Sequence, residues 1–253
     1  MTREKRSLLL MHPVRREIYK IISETPGTYF FEIASALELP HGTVSWHVKK
    51  LETAGLVDTM RFAGRRVFFS KALRSTEVEK AFVVLRSEPT QLVFTYVLNN
   101  SNCYQAQIAE ALGHHHDTVR HHIQRLKEAK LIESIKKGRN VHYTLGEIGR
   151  LILNSNTEII SKAYIEHLFS RLKEECLTPE VVEQKEGKIT IKISCLGKDD
   201  AYITINLQGW TFLPEEITKN KLSIDEFDGN LSKEKISVVD DKNRRPKIVR
   251  FKD

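Results

Sequence analysis

Apolar side chains in the first part of the chain recur at three- and four-residue spacing, in blocks punctuated by proline and glycine. Val14, Ile18, Ile21 and Ile22 predict a helix that Pro13 opens and Thr25-Pro26-Gly27 closes. A shorter helical pattern covers 29–37. Thr28 is its expected cap, Phe31, Ile33, Ala34 and Leu37 are its expected inward residues, and Leu39-Pro40 breaks it. The clearest pattern is HGTVSWHVKKLETAGLV, from His41 to Val57. Val44, His47, Val48 and Leu51 form an inward stripe, and Thr43, Ser45, Trp46, Lys49 and Lys50 are left facing out. Gly55 suits the left-handed conformation that ends a helix. An extended stretch follows, with the basic turn Arg61-Phe62-Ala63-Gly64-Arg65-Arg66 ahead of Val67-Phe68-Phe69.

Helix, turn, amphipathic helix and basic hairpin spell a winged helix-turn-helix. A second copy is expected at an offset of 75 residues. Ile33, Ala34, Ala36, Leu37, His41, Thr43, Val44, His47, Leu51, Ala54 and Leu56 recur as Ile108, Ala109, Ala111, Leu112, His116, Thr118, Val119, His122, Leu126, Ala129 and Leu131. In the hairpin, Gly64, Arg65, Val67 and Phe69 align with Gly138, Arg139, Val141 and Tyr143 at an offset of 74, as though one residue were lost. The matched positions are mainly inward. Outward, Ser45, Trp46, Lys49 and Lys50 become Arg120, His121, Gln124 and Arg125, so two similar scaffolds are expected to touch different things.

From Glu147 to Glu175 the pattern is helical again. Ile148, Leu151, Ile152, Ile160, Tyr164, Leu168 and Leu172 lie on one side, with a break at Asn154-Ser155-Asn156. Such a stripe packs on a neighbouring domain or on a second subunit, and both readings stay open. Beyond Pro179 the period becomes two. Ile189, Ile191, Ile193 and Cys195 alternate with polar residues, 196–200 turns, and Ile203, Ile205 and Leu207 alternate again as the second arm of a hairpin leading to Trp210, Phe212 and Pro214. Residues 236–239 and 248–249 are further strand candidates, and Lys242-Asn243-Arg244-Arg245-Pro246-Lys247 reads as a basic tail. The expected architecture is mainly α with β wings. Winged helices over 1–75 and 76–146 are followed by a helical linker over 147–177 and a small α+β domain over 178–253.

Charge sharpens this picture. The net charge is +7, and residues 1–75 carry thirteen basic and seven acidic side chains, 76–150 ten and eight, and 151–253 seventeen and eighteen. The positive excess therefore sits with the first helix-turn-helix pattern, where phosphates are the expected partner. Cys103, Cys176 and Cys195 are too scattered for a disulfide framework or zinc module, which points to the reducing cytosol. Leu8-Leu9-Leu10-Met11 is too short for a signal peptide, and no run approaches a membrane span. A glycine-rich phosphate loop, a G-x-S-x-G elbow and a helix-borne acidic cluster are all missing, so an enzyme is not expected.

Val44-Ser45-Trp46-His47-Val48, then Leu51 and Ala54-Gly55-Leu56-Val57, resembles the recognition-helix signature of ArsR-like winged-helix transcription regulators. The two copies together resemble the archaeal two-winged-helix type. Over about residues 12–145 the resemblance implies regulation of transcription through double-stranded DNA. The second copy departs from the signature, with Arg120 for serine and Lys130 for glycine. Relatives that sense metals use a Cys-x-Cys pair in the preceding helix, where this chain has Phe31-Glu32-Ile33-Ala34-Ser35, so metal sensing is not carried over.

Thr43, Ser45, Trp46, Lys49 and Lys50 are the expected major-groove face, with Arg61, Arg65 and Arg66 of the wing along the backbone or in the minor groove. Thr118, Arg120, His121, Gln124 and Arg125, with Lys136, Lys137 and Arg139, are the corresponding set in the second copy. His47 and His122 read as scaffold histidines. His114-His115-His116-Asp117 with His121-His122 invites a metal reading, but successive helical side chains diverge, and a DNA-facing or pH-sensitive helix start fits better. No cofactor is expected. The C-terminal domain is the expected place for a partner, effector or dimer contact, and a winged-helix scaffold meeting an acidic protein is the rival reading.

Overall fold

The computed structural model describes residues 9–72, 76–154, 157–185 and 187–210. The chain divides into units 1–212 and 213–253, and the second lies wholly outside the described residues, as do the strand candidates and basic tail expected there.

The first helix, α1 (Pro13–Glu24), has proline in its first turn and buries Ile18, Tyr19 and Ile22. A short strand, β1 (Thr28–Tyr29), precedes α2 (Phe30–Leu37), which is followed by α3 (His41–Thr53). Strands β2 (Val57–Phe62) and β3 (Arg65–Ser70) form the hairpin, and the three strands pair antiparallel in the order β1-β3-β2. Thr28 is therefore a strand residue and does not cap α2. The cap position is Tyr29, whose backbone N–H donates to Glu32 Oε2 at 2.8 Å. Phe31 also departs from expectation. It is exposed, whereas Phe30 packs against the core, because the strand sets the helix start and so rotates which aromatic faces inward.

After α4 (Thr76–Leu85) the same succession returns as α5 (Glu88–Asn99), β4 (Cys103–Tyr104), α6 (Gln105–Leu112), α7 (His116–Glu128), β5 (Ile132–Lys137) and β6 (Asn140–Leu145), with sheet order β4-β6-β5. Every element starts 75 residues after its counterpart, including the hairpin strands, which corrects the offset of 74. Both turns span two residues, since Phe62 pairs with Arg65 and Lys137 with Asn140. The glycines occupy different places within them. Ala63 and Gly64 both take positive φ, whereas in the second turn only the first residue, Gly138, does. These are the requirements of I′ and II′ turns. Gly138 thus corresponds to Ala63, and the buried Tyr143 corresponds to Phe68, not Phe69; Val141 is exposed where Val67 is buried.

Helix α8 (Glu147–Leu153) buries Ile148 and Ile152 in the second core, while Leu151 is exposed and off the expected stripe. Helix α9 (Thr157–Glu174) turns back. Tyr164, Leu168 and Leu172 enter the core of the first copy, and Tyr164 Oη donates to Ser23 Oγ of α1 at 2.6 Å. The last sheet, β7 (Thr178–Lys185), β8 (Lys188–Ser194) and β9 (Ala201–Asn206), is an antiparallel meander whose first strand was not foreseen. Ile189, Ile191, Ile193, Ile203 and Ile205 bury one face in the same first core as Ile18 and Phe68. Packing therefore runs across positions 146 and 177. The two cores meet at α4, with Phe82 and Val83 in one and Ala81, Val84 and Leu85 in the other. No helix among the described residues is long and apolar enough to cross a membrane.

Candidate nucleic-acid interface

Helix α3 keeps Val44, His47, Val48 and Leu51 buried, so its other face is committed to solvent by geometry. Thr43, Ser45, Trp46, Lys49 and Lys50 are all exposed there, Trp46 at 54%. Lys50 Nζ lies 5.6 Å from the Trp46 ring centre, and Arg15 Cζ of α1 lies 5.8 Å from it. Cations at this range are attracted by the ring quadrupole. The C-terminal end of α3 is braced by α9, where His167 Nε2 is 3.2 Å from Gly55 O.

In the adjoining hairpin Arg61 and Arg66 face each other directly across the strands. Like charges so placed repel, at a cost of a few tenths to about 1 kcal/mol. Glu52 of α3 takes up one of them: its Oε1 is 2.8 Å from Arg66 and 3.2 Å from Thr59 Oγ1, and the Arg66 guanidinium also lies 5.2 Å from the Phe68 ring. Arg61 and Arg65 are exposed, and among the described residues no carboxylate pairs with them or with Lys49 and Lys50. The structure thus gathers Lys49, Lys50, Arg61 and Arg65 around α3 and its hairpin without a carboxylate partner among the described residues.

The corresponding face of α7 is built differently. Thr118, Arg120, His121 and Gln124 are exposed, but Arg120 is ion-paired with Asp117 and Gln124 donates to Glu128 at 2.9 Å. Arg125 is half-buried, its guanidinium 5.9 Å from the ring of Phe62, which belongs to the first hairpin and packs against both cores. Lys136 and Arg139 are exposed, and Lys137 Nζ donates to Asn102 Oδ1 at 2.9 Å. Two histidines of the run are engaged locally. His115 caps α7 by accepting from the Asp117 N–H, and His122 Nδ1 is bonded to Thr90 Oγ1 at 2.9 Å.

Arg15 is the site residue that sequence reasoning passed over. It is 8% exposed, and burial lowers its pKa. His12 and His47 have their rings 4.6 Å apart beside it, both with pKa lowered, first by burial and then by neighbouring positive charge. Arg15 Nε, His12 Nδ1 and His47 Nδ1 are buried without a hydrogen-bond partner. Each unmet buried polar atom costs about 1–3 kcal/mol, and a charged one more. The signal was present in the sequence: Arg15 sits on the inward stripe with Ile18, Tyr19 and Ile22, where a cation is out of place.

A family model described as "Helix-turn-helix domain" matches residues 10–59, the span from the start of α1 into the hairpin. Residues 10–59 form a helix-turn-helix domain. An uncharacterized HTH-type transcriptional regulator of Methanocaldococcus jannaschii is similar to this chain, with 27% identity over 139 residues. That stretch is 55% of this chain and 35% of that protein, so the match spans about a third of the relative's length. Among solved structures, ScpB from Mycobacterium tuberculosis aligns over 62% of this chain and 99% of its own, at 15% identity and a TM-score of 0.25, a superposition too poor to bear on the fold. Within the helix-turn-helix domain, Glu38 takes the left-handed conformation that lets α2 stop and α3 begin.

Proposed function

We propose that this chain is a sequence-specific regulator of transcription that binds double-stranded DNA through two tandem winged helices, similar to ArsR-like regulators of the archaeal two-winged type. The observation that carries the reading is the outward face of α3, which offers Lys49 and Lys50 without an acid partner beside a hairpin offering Arg61 and Arg65. A helix of this size fits the major groove, where Thr43 and Ser45 meet base edges while the lysines meet phosphates. The hairpin then follows the backbone or enters a narrow minor groove, which draws arginine. On this reading the α7 face, with Thr118, Arg120, His121, Gln124 and Arg125, supplies fewer phosphate contacts because Arg120 is ion-paired with Asp117 and Arg125 is half-buried against Phe62, and Lys136 and Arg139 of its hairpin extend the contact.

The test is fluorescence anisotropy with duplex DNA across a salt series, using the full chain and a variant with Lys49, Lys50, Arg61 and Arg65 changed to alanine. Each phosphate contact contributes about −0.9 to the slope of log affinity against log salt. A steep wild-type slope that flattens by about three to four in the variant supports the reading. Equal, weak binding by both proteins overturns it and favours the rival class, a scaffold that meets an acidic protein.

A further inference from the structure

The buried cluster between α1 and α3 asks for an occupant. Arg15, more than nine-tenths buried, has no carboxylate partner among the described residues, and its Nε meets nothing. His47 is 5% exposed with Nδ1 unmet, and His12, the residue before the first turn of α1, has its own Nδ1 unmet 4.6 Å away between ring centres. The first turn of α1 holds no acidic side chain, and its other cation, Arg16, is turned away to the carbonyls of Leu10 and Met11. The helix start, two imidazoles and a guanidinium therefore present donors and positive potential with nothing negative among the described residues to receive them.

The second copy shows that the fold does not require this. The residue 75 positions after Arg15 is Thr90, fully buried, and it satisfies the counterpart histidine through the 2.9 Å bond to His122 Nδ1. A neutral, closed solution exists on the same scaffold, and the first copy instead keeps a buried cation without a carboxylate partner among the described residues, against the exposed Trp46.

We propose that His12, Arg15 and His47 form a site for a phosphate-type oxyanion between α1 and α3, under Trp46. Arg15 supplies the charge and its Nε–H, and a protonated or suitably tautomeric Nδ1–H of either histidine supplies a second donor. The oxyanion is a free phosphate or phosphoryl compound, or a backbone phosphate of DNA lying along α3. The site stands whichever source fills it.

Trp46 reports on the site because Arg15 lies against its ring. In the full chain with Trp210→Phe, Trp46 is the remaining tryptophan. Inorganic phosphate added at constant ionic strength against sodium chloride is expected to change Trp46 emission saturably. Arg15→Thr, which installs the pair seen at Thr90 and His122, is expected to abolish the response while keeping the folded circular dichroism spectrum, and Arg15→Lys to weaken it about tenfold. With saturating duplex present, loss of the phosphate response, together with an Arg15→Thr salt slope shallower by about 0.9, assigns the site to a backbone phosphate. A response that persists on the duplex with an unchanged slope assigns it to a free oxyanion. The proposal is overturned if phosphate acts no differently from chloride and the Arg15→Thr slope equals that of wild type, or if Arg15→Thr responds to phosphate as wild type does. Failure of DNA binding alone leaves the phosphate titration to decide.

Discussion

Helices α3 and α7 begin 75 residues apart, have the same length, and bury the same positions, valine, histidine and leucine among them. Their outward faces have gone separate ways. On α3 the lysines have no carboxylate partner among the described residues; on α7 arginine is matched with Asp117, glutamine with Glu128, and the last arginine leans on Phe62 of the neighbouring hairpin. The burial pattern is what the scaffold demands, and it is shared. Charge on the outer face is not demanded by the scaffold, and it differs. An exposed ion pair adds little stability, about 0–1 kcal/mol, so on the proposed reading the pairing on α7 counts for more in what it withholds from a phosphate than in what it adds to the fold.

The sharpest way to break this contrast is to treat the two faces alike. Lys49→Ala with Lys50→Ala is expected to flatten the salt slope for duplex binding by about two and to weaken binding about a hundredfold near physiological salt, whereas Arg120→Ala with Arg125→Ala changes the slope by less than about one. Matching slopes for the two double variants would erase the distinction. Next in size is Phe62→Ala, which removes the ring shared by both cores; a loss of about 2 kcal/mol in urea unfolding is expected. The same variant releases Arg125, so its salt slope should steepen.

A smaller effect concerns the joint formed by α4. Burial, and then the charge of Asp58, push the Glu79 carboxyl up to about 7. Its folded value lies above the unfolded one, so the folded state binds the extra proton. Stability is therefore gained as pH falls from about 7 towards the ordinary carboxyl range and is lost as pH rises through about 7. Allowing for partial solvation, Glu79→Gln is expected to raise unfolding stability by about 1 kcal/mol at pH 8 and to change little at pH 5. Equal gains at both pH values would assign the effect to packing. Last, Asp117→Asn frees Arg120 on α7 and should tighten duplex binding by about twofold to fivefold at low salt.

Much of this was legible in the chain. The inward stripe of α3 follows from helical period alone, and the 75-residue recurrence follows from matched apolar positions, since both are local patterns. Aligning glycine with glycine misplaces the hairpin by one residue, because a two-residue turn puts its glycine wherever positive φ is needed, at Gly64 in one hairpin and Gly138 in the other. Phe31, expected inward, is exposed for a similar reason: a two-residue strand, invisible to periodicity, sets the phase of α2. That Arg125 meets Phe62, and that α9 returns to the first core, depends on contacts far apart in sequence, which no local period encodes. Arg15 was visible as a cation on an apolar stripe, and Thr90 in the second copy is what gives it meaning.

The return of α9 and the last sheet has a consequence for how the molecule is made. Ile18 and Phe68 share one core with Tyr164, Ile191 and Ile205, so the helix-turn-helix emerges from the ribosome well before the surfaces that cover it. The second copy, whose core draws on residues 81–152, completes its contacts earlier. Closing the first core requires a loop of more than a hundred residues to be bridged, the kind of distant pairing that slows folding. The topology thus predicts that the copy offering these cations is the last part of the described chain to become rigid, an order that pulsed hydrogen exchange during refolding checks.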